Sequence, residues 1–336
     1  MTMRSALKKN SVVFLPALAG LAMMGLVGCS ASDSAGAQEA EGGYPSKPVT
    51  FVVPFAAGGP STVTALAFAS CLEAGLGQTF VVENQPGGSG GLAMQDVSSA
   101  KPDGYTLTLG TNGPLVMNPM INELNYSIKD FTSVGVMAQM PTVLVVGEDS
   151  PYESADDFFA AADKNPGKLS VAVPGATTSA AIELQRLYEE YDIEVIAVPA
   201  VGNAEMTTSL LGGHVDALFI TDHQDVQSRI DEGSFVPLAV SSPKRADWYP
   251  DVPTLAELGF PELVNAVSVF GVMGPKGMPD SIVSTLESEL KTCSEDVTVI
   301  DQIGEMFVPA EFSGAAALDE VFADMQRLYE PILGQE

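Results

Sequence analysis

The sequence predicts an α/β protein built of doubly wound sheets, and three observations lead there. After residue 43, short apolar and β-branched runs alternate with helical stretches to the end of the chain. Roughly 290 residues follow Tyr44, enough for two ordinary domains. Several strand-to-helix junctions place Gly beside Ser, Thr or Asn, at the edge of such a sheet where ligands bind.

In chain order, the expected strands are 49–53, 79–82, 106–109, 143–146, 169–173, 195–198, 215–220, 236–240 and 267–273, each a run such as "VTFVV" or "VDALFI". Helices are expected near 61–75, 89–100, 153–164, 178–190, 203–211, 223–232, 253–259, 279–293 and 314–331. The first helix opens on Pro60-Ser61-Thr62, a rigid turn followed by a capping hydroxyl. Val63, Leu66, Ala67 and Ser70 follow at helical spacing, and Gly75 and Gly77 stop it. "GKLSVAVPGATTSAAIELQRL" repeats the scheme as a strand, Pro174-Gly175, and hydroxyls that cap the next helix. The regular alternation predicts parallel pairing, and nothing after residue 43 is repetitive or of low complexity.

The first 43 residues are of another kind. Arg4, Lys8 and Lys9 precede an apolar run from Val12 to Val27, too short for a bilayer span of about 20 residues. It ends on Leu26-Val27-Gly28-Cys29, which resembles the lipobox of bacterial lipoproteins, in which the chain is cleaved before the Cys and the Cys is acylated. "SASDSAGAQEAEGG" then reads as a flexible tether. The expected order is therefore signal peptide 1–28, tether 29–43 and an extracytoplasmic domain held to the cell membrane by lipid on Cys29.

Net charge is -28, and removal of residues 1–28 takes away three positive charges, leaving -31. Such a field disfavours nucleic acid as a partner. Besides Cys29, only Cys71 and Cys293 are present, both on expected helices. A bridge between them and two buried thiols both fit an exported chain.

Ligands of doubly wound sheets sit beyond the carboxyl ends of the strands, which selects the loops 54–62, 84–91, 110–119, 174–179, 199–204 and 221–223. None contains Lys or Arg. Their free backbone N–H groups and hydroxyls can still hold an anion at helix starts. Within the second loop, Gly88-Ser89-Gly90-Gly91-Leu92-Ala93 satisfies the dinucleotide pattern G-x-G-x-x-A. Five residues, 83–87, separate it from its strand, and residues 108–115 lack the acid that a ribose would need. An exported chain also has little nicotinamide or flavin nucleotide to bind, so no cofactor is expected. Catalysis is disfavoured as well. His214 and His223 are the only histidines, no G-x-S-x-G elbow accompanies them, and they show no metal-ligand spacing.

Taken together, "YPSKPVTFVVPFAAGGPST", "VVENQPGGSGG", "KPDGYTLTLGTNG", "NPGKLSVAVPGATTS", "AVPAVGNAEMTTSLLGGHVDALF" and "PDVPTLAELGF" resemble, in the same order, the hallmark segments of one family. It comprises the substrate-binding receptors of the tripartite tricarboxylate transporters, also called Bug receptors. The resemblance covers the chain from about Tyr44 onward. It implies a type II periplasmic-binding-protein fold, with two lobes of doubly wound sheet and the ligand in the cleft between them. Lobe 1 would be 44–140 plus 268–336, and lobe 2 would be 141–267. The implied ligand is a small organic acid, the implied partners are membrane permease subunits, and the receptor would act as a monomer. A sensor-associated role or a neutral polar solute are the alternatives.

Position by position, the resemblance implies lobe 1 contacts from Phe55, Ala56, Gly58, Gly59, Ser61 and Thr62, with Gly88, Ser89, Thr111 and Asn112 nearby. From lobe 2 it implies Gly175, Thr177, Thr178, Ser179, Val201, Gly202 and Asn203, with Thr221 and Asp222 at the rim. The chain departs from the family at three of its usual polar positions. Thr62 stands where an acid is common, Val201 where a Lys or similar residue is common, and Ala181 near a frequent His.

Overall fold

Nine strands and ten helices make up the described part of the chain. The computed structural model describes residues 43–334; the signal segment, Cys29 and the tether up to residue 42 lie outside the described residues. The strands are β1 Val49–Val53, β2 Phe80–Asn84, β3 Thr106–Thr111, β4 Phe131–Gly147, β5 Ser170–Val173, β6 Ile196–Pro199, β7 Ala217–Thr221, β8 Phe235–Ser241 and β9 Val267–Pro275. The helices are α1 Pro60–Leu76, α2 Gly91–Ser98, α3 Asn118–Ile121, α4 Ala155–Lys164, α5 Ser179–Tyr191, α6 Asn203–Leu211, α7 Gln224–Asp231, α8 Asp280–Ser294, α9 Val297–Ile303 and α10 Ala315–Leu333.

The strands run in the order β2-β1-β3-β9-β4-β7-β5-β6, with β8 also on β4. β1 is parallel to β2 and β3, and β5 is parallel to β6 and β7. The expectation of parallel pairing throughout is corrected at β4 and β9, which run antiparallel to all their neighbours. The chain crosses from one half to the other inside the 17-residue β4 and returns through β9. β4 exchanges partners between Pro141, opposite Val267, and Thr142, opposite Thr221 and Ser241. The result is two α/β lobes joined by crossing strands.

Apolar layers cover both faces of each lobe. In lobe 1, Phe51, Phe68 and Leu72 pack with Leu286 and Leu290 on one side. On the other side Met94, Leu115, Phe322 and Tyr329 form a second layer, joined by Ile182 of α5. In lobe 2, Phe158, Leu187 and Phe219 lie on one face, and Met206, Leu218 and Phe235 on the other. Each such side chain stabilises the fold by about 1.5–3 kcal/mol relative to exposure. α5 is also pinned to the C-terminal helix, because Tyr329 Oη donates to Glu183 Oε1 at 3.0 Å.

Local chemistry accounts for the helix ends. The N-cap of α1 is Gly59 rather than a hydroxyl residue, with Pro60 in the first turn. Gly77 closes α1 in the left-handed conformation, its N–H bonded to Glu73 O at 2.9 Å. The expected helix at 253–259 is a turn. Thr254 and Glu257 form a reciprocal cap, but Gly259 at φ 94° ends the turn at once. Cys71 of α1 and Cys293 of α8 are joined by a disulfide.

The Gly-rich loop after β2 has a conformational reason. Gly87, Gly88, Ser89 and Gly90 all have positive φ, and a Cβ on Gly90 would lie 2.5 Å from the Pro114 ring. Gly88 O accepts from Asn118 Nδ2 at 2.8 Å. The glycines serve this left-handed path against the β3 turn.

Candidate ligand cleft

Helix starts from both lobes end on one hollow at the crossing of β4 and β9. It is narrow, with about 50 Å³ of room for the centre of a water-sized sphere. Phe55, Ala56, Gly59, Pro60 and Ser61 come from the β1–α1 junction, and Thr111, Asn112 and Gly113 from the end of β3. Pro174, Thr178, Ser179 and Ala180 come from β5–α5, Gly202 and Asn203 from β6–α6, and Thr221 from β7. Thr142 of β4 and Ser268 and Phe270 of β9 complete the lining.

The local sequences explain why donors collect here. The first N–H groups of a helix have no partner within it and carry about half a positive charge. Gly59 caps α1 without a side-chain bond, so the Ser61 hydroxyl stays free of capping. Thr178 caps α5, accepting from Ala181 N–H at 3.4 Å while its own hydroxyl donates to Gly175 O at 3.0 Å. The N–H groups of Ser61, Ser179 and Ala180 have no hydrogen-bond partner among the described residues. No lining side chain is charged. Any attraction of the cleft for an anion would therefore come from dipoles alone.

The lobes stand close across this hollow. A Cβ on Gly202 would lie 3.9 Å from Ala56 Cβ, and one on Gly59 would lie 4.0 Å from Asn203 Cβ. A Cβ on Gly113 would come within 3.3 Å of Thr177 O. Beneath them Asn112, buried, donates from Nδ2 to Val267 O at 3.1 Å and to Ser179 Oγ at 3.3 Å. Its Oδ1 accepts from Val269 N–H at 3.3 Å and from Thr111 Oγ1 at 3.1 Å. Thr221 and Ser268 share a hydroxyl–hydroxyl bond of 3.0 Å.

Of the residues singled out in sequence, Phe55, Ala56, Gly59, Ser61, Thr111, Asn112, Thr178, Ser179, Gly202, Asn203 and Thr221 line the hollow. Eight others lie beside or behind it. Gly58 occupies the turn before the α1 cap at φ 93°. Thr62 turns its hydroxyl to Asn84, accepting from Nδ2 at 2.8 Å. Gly88 and Ser89 sit in the left-handed loop described above. Gly175 serves as acceptor for Thr178, and Thr177 is buried with no partner for its hydroxyl among the described residues. Val201 is exposed, its N–H bonded to the Glu205 carboxylate at 2.8 Å.

Asp222 is the most displaced from expectation. It is fully buried rather than at the rim, where it receives hydrogen bonds from Trp248 Nε1 at 2.8 Å and Tyr249 Oη at 3.3 Å. Burial pushes its carboxyl up to about 7, against the opposing pull of those donors. The neighbouring His223 bonds Thr221 O through Nδ1 at 2.9 Å, and burial lowers its pKa.

Pro60, Gly113, Thr142, Pro174, Ala180, Ser268 and Phe270 were not among the expected contacts, although Pro60, Gly113 and Pro174 fall inside the selected loops. Three of them lie on the crossing strands, where a rule about loops does not look. Ser268 carried a usable signal, as a polar residue inside the apolar run "VSVFGVM".

Comparison with known proteins adds the lineage. The profile of the tripartite tricarboxylate transporter family receptor matches residues 65–311. A UPF0065 protein of Agrobacterium vitis is 32% identical over 299 residues, covering 88% of this chain and 86% of its own. Protein BugT of Bordetella pertussis is 30% identical over 261 residues, covering 77% and 79%. Among solved structures, an R. palustris protein with adipate superposes with a TM-score of 0.80 at 28% identity, over 86% of this chain and 97% of that one. MatC from Rhodopseudomonas palustris with bound malate gives 0.78 at 26%, over 86% and 100%. The family is one of solute receptors and not of enzymes. With its profile matched over most of the described residues and the same two-lobe fold, this chain belongs to the tripartite tricarboxylate transporter receptor family.

Proposed function

We propose that the chain is a lipid-anchored receptor that captures one small carboxylate by lobe closure and delivers it to a membrane permease. The moving bodies are 44–140 with 268–336, and 141–267. The observation that carries the reading is the convergence of the α1, α5 and α6 starts, from opposite lobes, on a cleft without charged side chains. Each start supplies only a partial charge, so a carboxylate is held well only when both lobes reach it. That difference in affinity is what drives closure. Salt screens the field of the acidic surface beyond about 8–10 Å, so the net charge does not forbid an anion in the cleft. The adipate and malate bound by similar proteins make both acids first choices as probes.

A thermal-shift panel of adipate, malate, amino acids and neutral polyols tests the reading. At 100 times its dissociation constant, a ligand stabilises the protein by about 2.7 kcal/mol. Stabilisation by a polyol and by no carboxylate would overturn it. For the anchor, Cys29→Ala is expected to abolish incorporation of labelled lipid and release the protein from membranes.

A further inference from the structure

We propose that Asn112 fixes the Ser179 hydroxyl as a donor toward the cleft, so that the site selects a ligand presenting an acceptor oxygen. The proposal rests on the carboxylate reading above and gives that reading a source of selectivity other than charge.

The orientation of the Asn112 amide follows from the backbone of β9. Its oxygen faces Val269 N–H at 3.3 Å and its nitrogen faces Val267 O at 3.1 Å. The reversed amide would set N–H against N–H and oxygen against oxygen, so only one assignment is chemically consistent. Thr111 Oγ1 donates to the same oxygen, a contact consistent with that assignment. One Nδ2 hydrogen is committed to Val267. The second, coplanar with it, is directed at Ser179 Oγ, 3.3 Å away on the other lobe.

This contact polarises the serine. A hydroxyl has one hydrogen and two lone pairs. With one lone pair facing Asn112, the Ser179 hydrogen must point elsewhere. No acceptor for it exists among the described residues, and Ser179 lines the cleft. The hydroxyl then stands beside the unpaired N–H groups of Ser179 and Ala180, three donors on one helix start. A carboxylate offers only acceptors and matches them. A carboxamide of the same shape offers one acceptor oxygen in place of two, so it leaves more of these donors unmatched. Asn112 thus acts as a positioning residue, transmitting the polarity of β9 to the ligand.

The test combines a spectroscopic readout with a pair of probes. In full-length protein carrying ¹⁵N-labelled asparagine, Ser179→Ala is expected to move one Asn112 Nδ2 proton signal upfield and leave the other, held by Val267, in place. By calorimetry, Ser179→Ala is expected to weaken adipate by about 10-fold to 100-fold and adipamide by less than about 3-fold. Ser179→Thr, which keeps the hydroxyl, is expected to retain the preference for adipate. Asn112→Ala in the Ser179→Ala background is expected to cause no further loss of that preference. Unmoved amide signals, or equal weakening of both probes, would overturn the proposal. If the signal moves but wild-type protein binds neither adipate nor malate, the amide–hydroxyl orientation stands and the carboxylate reading falls.

Discussion

Trp248 Nε1 donates to Asp222 Oδ2 at 2.8 Å, while the same indole packs edge-on against Phe307, with ring centroids 5.4 Å apart. Asp222 directly follows Thr221 of the cleft in lobe 2, and Phe307 belongs to the core of lobe 1. The tryptophan thus spans the seam that the proposed closure would move.

Trp248 is the only tryptophan in the chain, so its emission reports this seam alone. Saturating ligand is expected to shift or quench that emission, whereas a Trp248→Phe variant shows no indole signal at all. The same variant removes one donor from a buried carboxyl and should cost about 1–3 kcal/mol in urea unfolding. Ligand stabilisation with unchanged emission would mean that closure bypasses Trp248.

The buried Asp222 makes stability depend on pH. Its folded pKa, raised to about 7 by burial, exceeds its ordinary value of 3.8. The folded state therefore binds the proton more tightly than the unfolded chain does. The stability from this group is fully present below about pH 4 and is lost as pH rises through about 7. His223, lowered by burial, works in the opposite sense below its ordinary value of 6.5. The difference in midpoint temperature between wild type and Asp222→Asn isolates the acid. It is expected to grow in favour of wild type as pH falls from 8 to 5.

The proposed closure can be blocked at a defined point. Gly202 has extended backbone, φ 175°, open to any residue, and its side-chain position faces Ala56 across the mouth at 3.9 Å. Gly202→Trp is expected to leave the ligand-free midpoint within a few degrees of wild type and to weaken carboxylate binding by more than about 10-fold. Small-angle scattering should show a larger radius of gyration that ligand no longer reduces.

The Cys71–Cys293 bridge spans 222 residues of sequence and ties α1 to α8. Loss of a native disulfide typically costs 2–5 kcal/mol through the unfolded state. Cys293→Ala is expected to lower the midpoint temperature by several degrees in an unfolding scan. Affinity for carboxylate should be unchanged, because Cys71 lies three turns along α1 from the cleft.

Strands showed themselves in the sequence wherever apolar and β-branched residues were uninterrupted, as in "VTFVV" and "VDALFI". The first half of β4, "FTSVGVMAQMPT", did not, because Gly135, Gln139 and Pro141 break its pattern and its register with β9 shifts twice. The short α9 after Asp296 was equally hidden, since its seven residues include Val297, Thr298 and Val299, which resemble a strand. Loops at helix starts could be named from Gly, Ser and Thr alone. Which of their residues face the cleft could not.

The sequence by itself determined the α/β class, the positions of nearly all elements, the absence of Lys and Arg from the candidate loops and the family to which they belong. These follow from local periodicity and composition, which act over a few residues. Only the tertiary structure decided that β4 and β9 run antiparallel, that Asp222 is buried behind the cleft and that Asn112 meets Ser179. Each of these depends on groups far apart in the chain, and their meeting is set by how two lobes pack around shared strands rather than by any local preference.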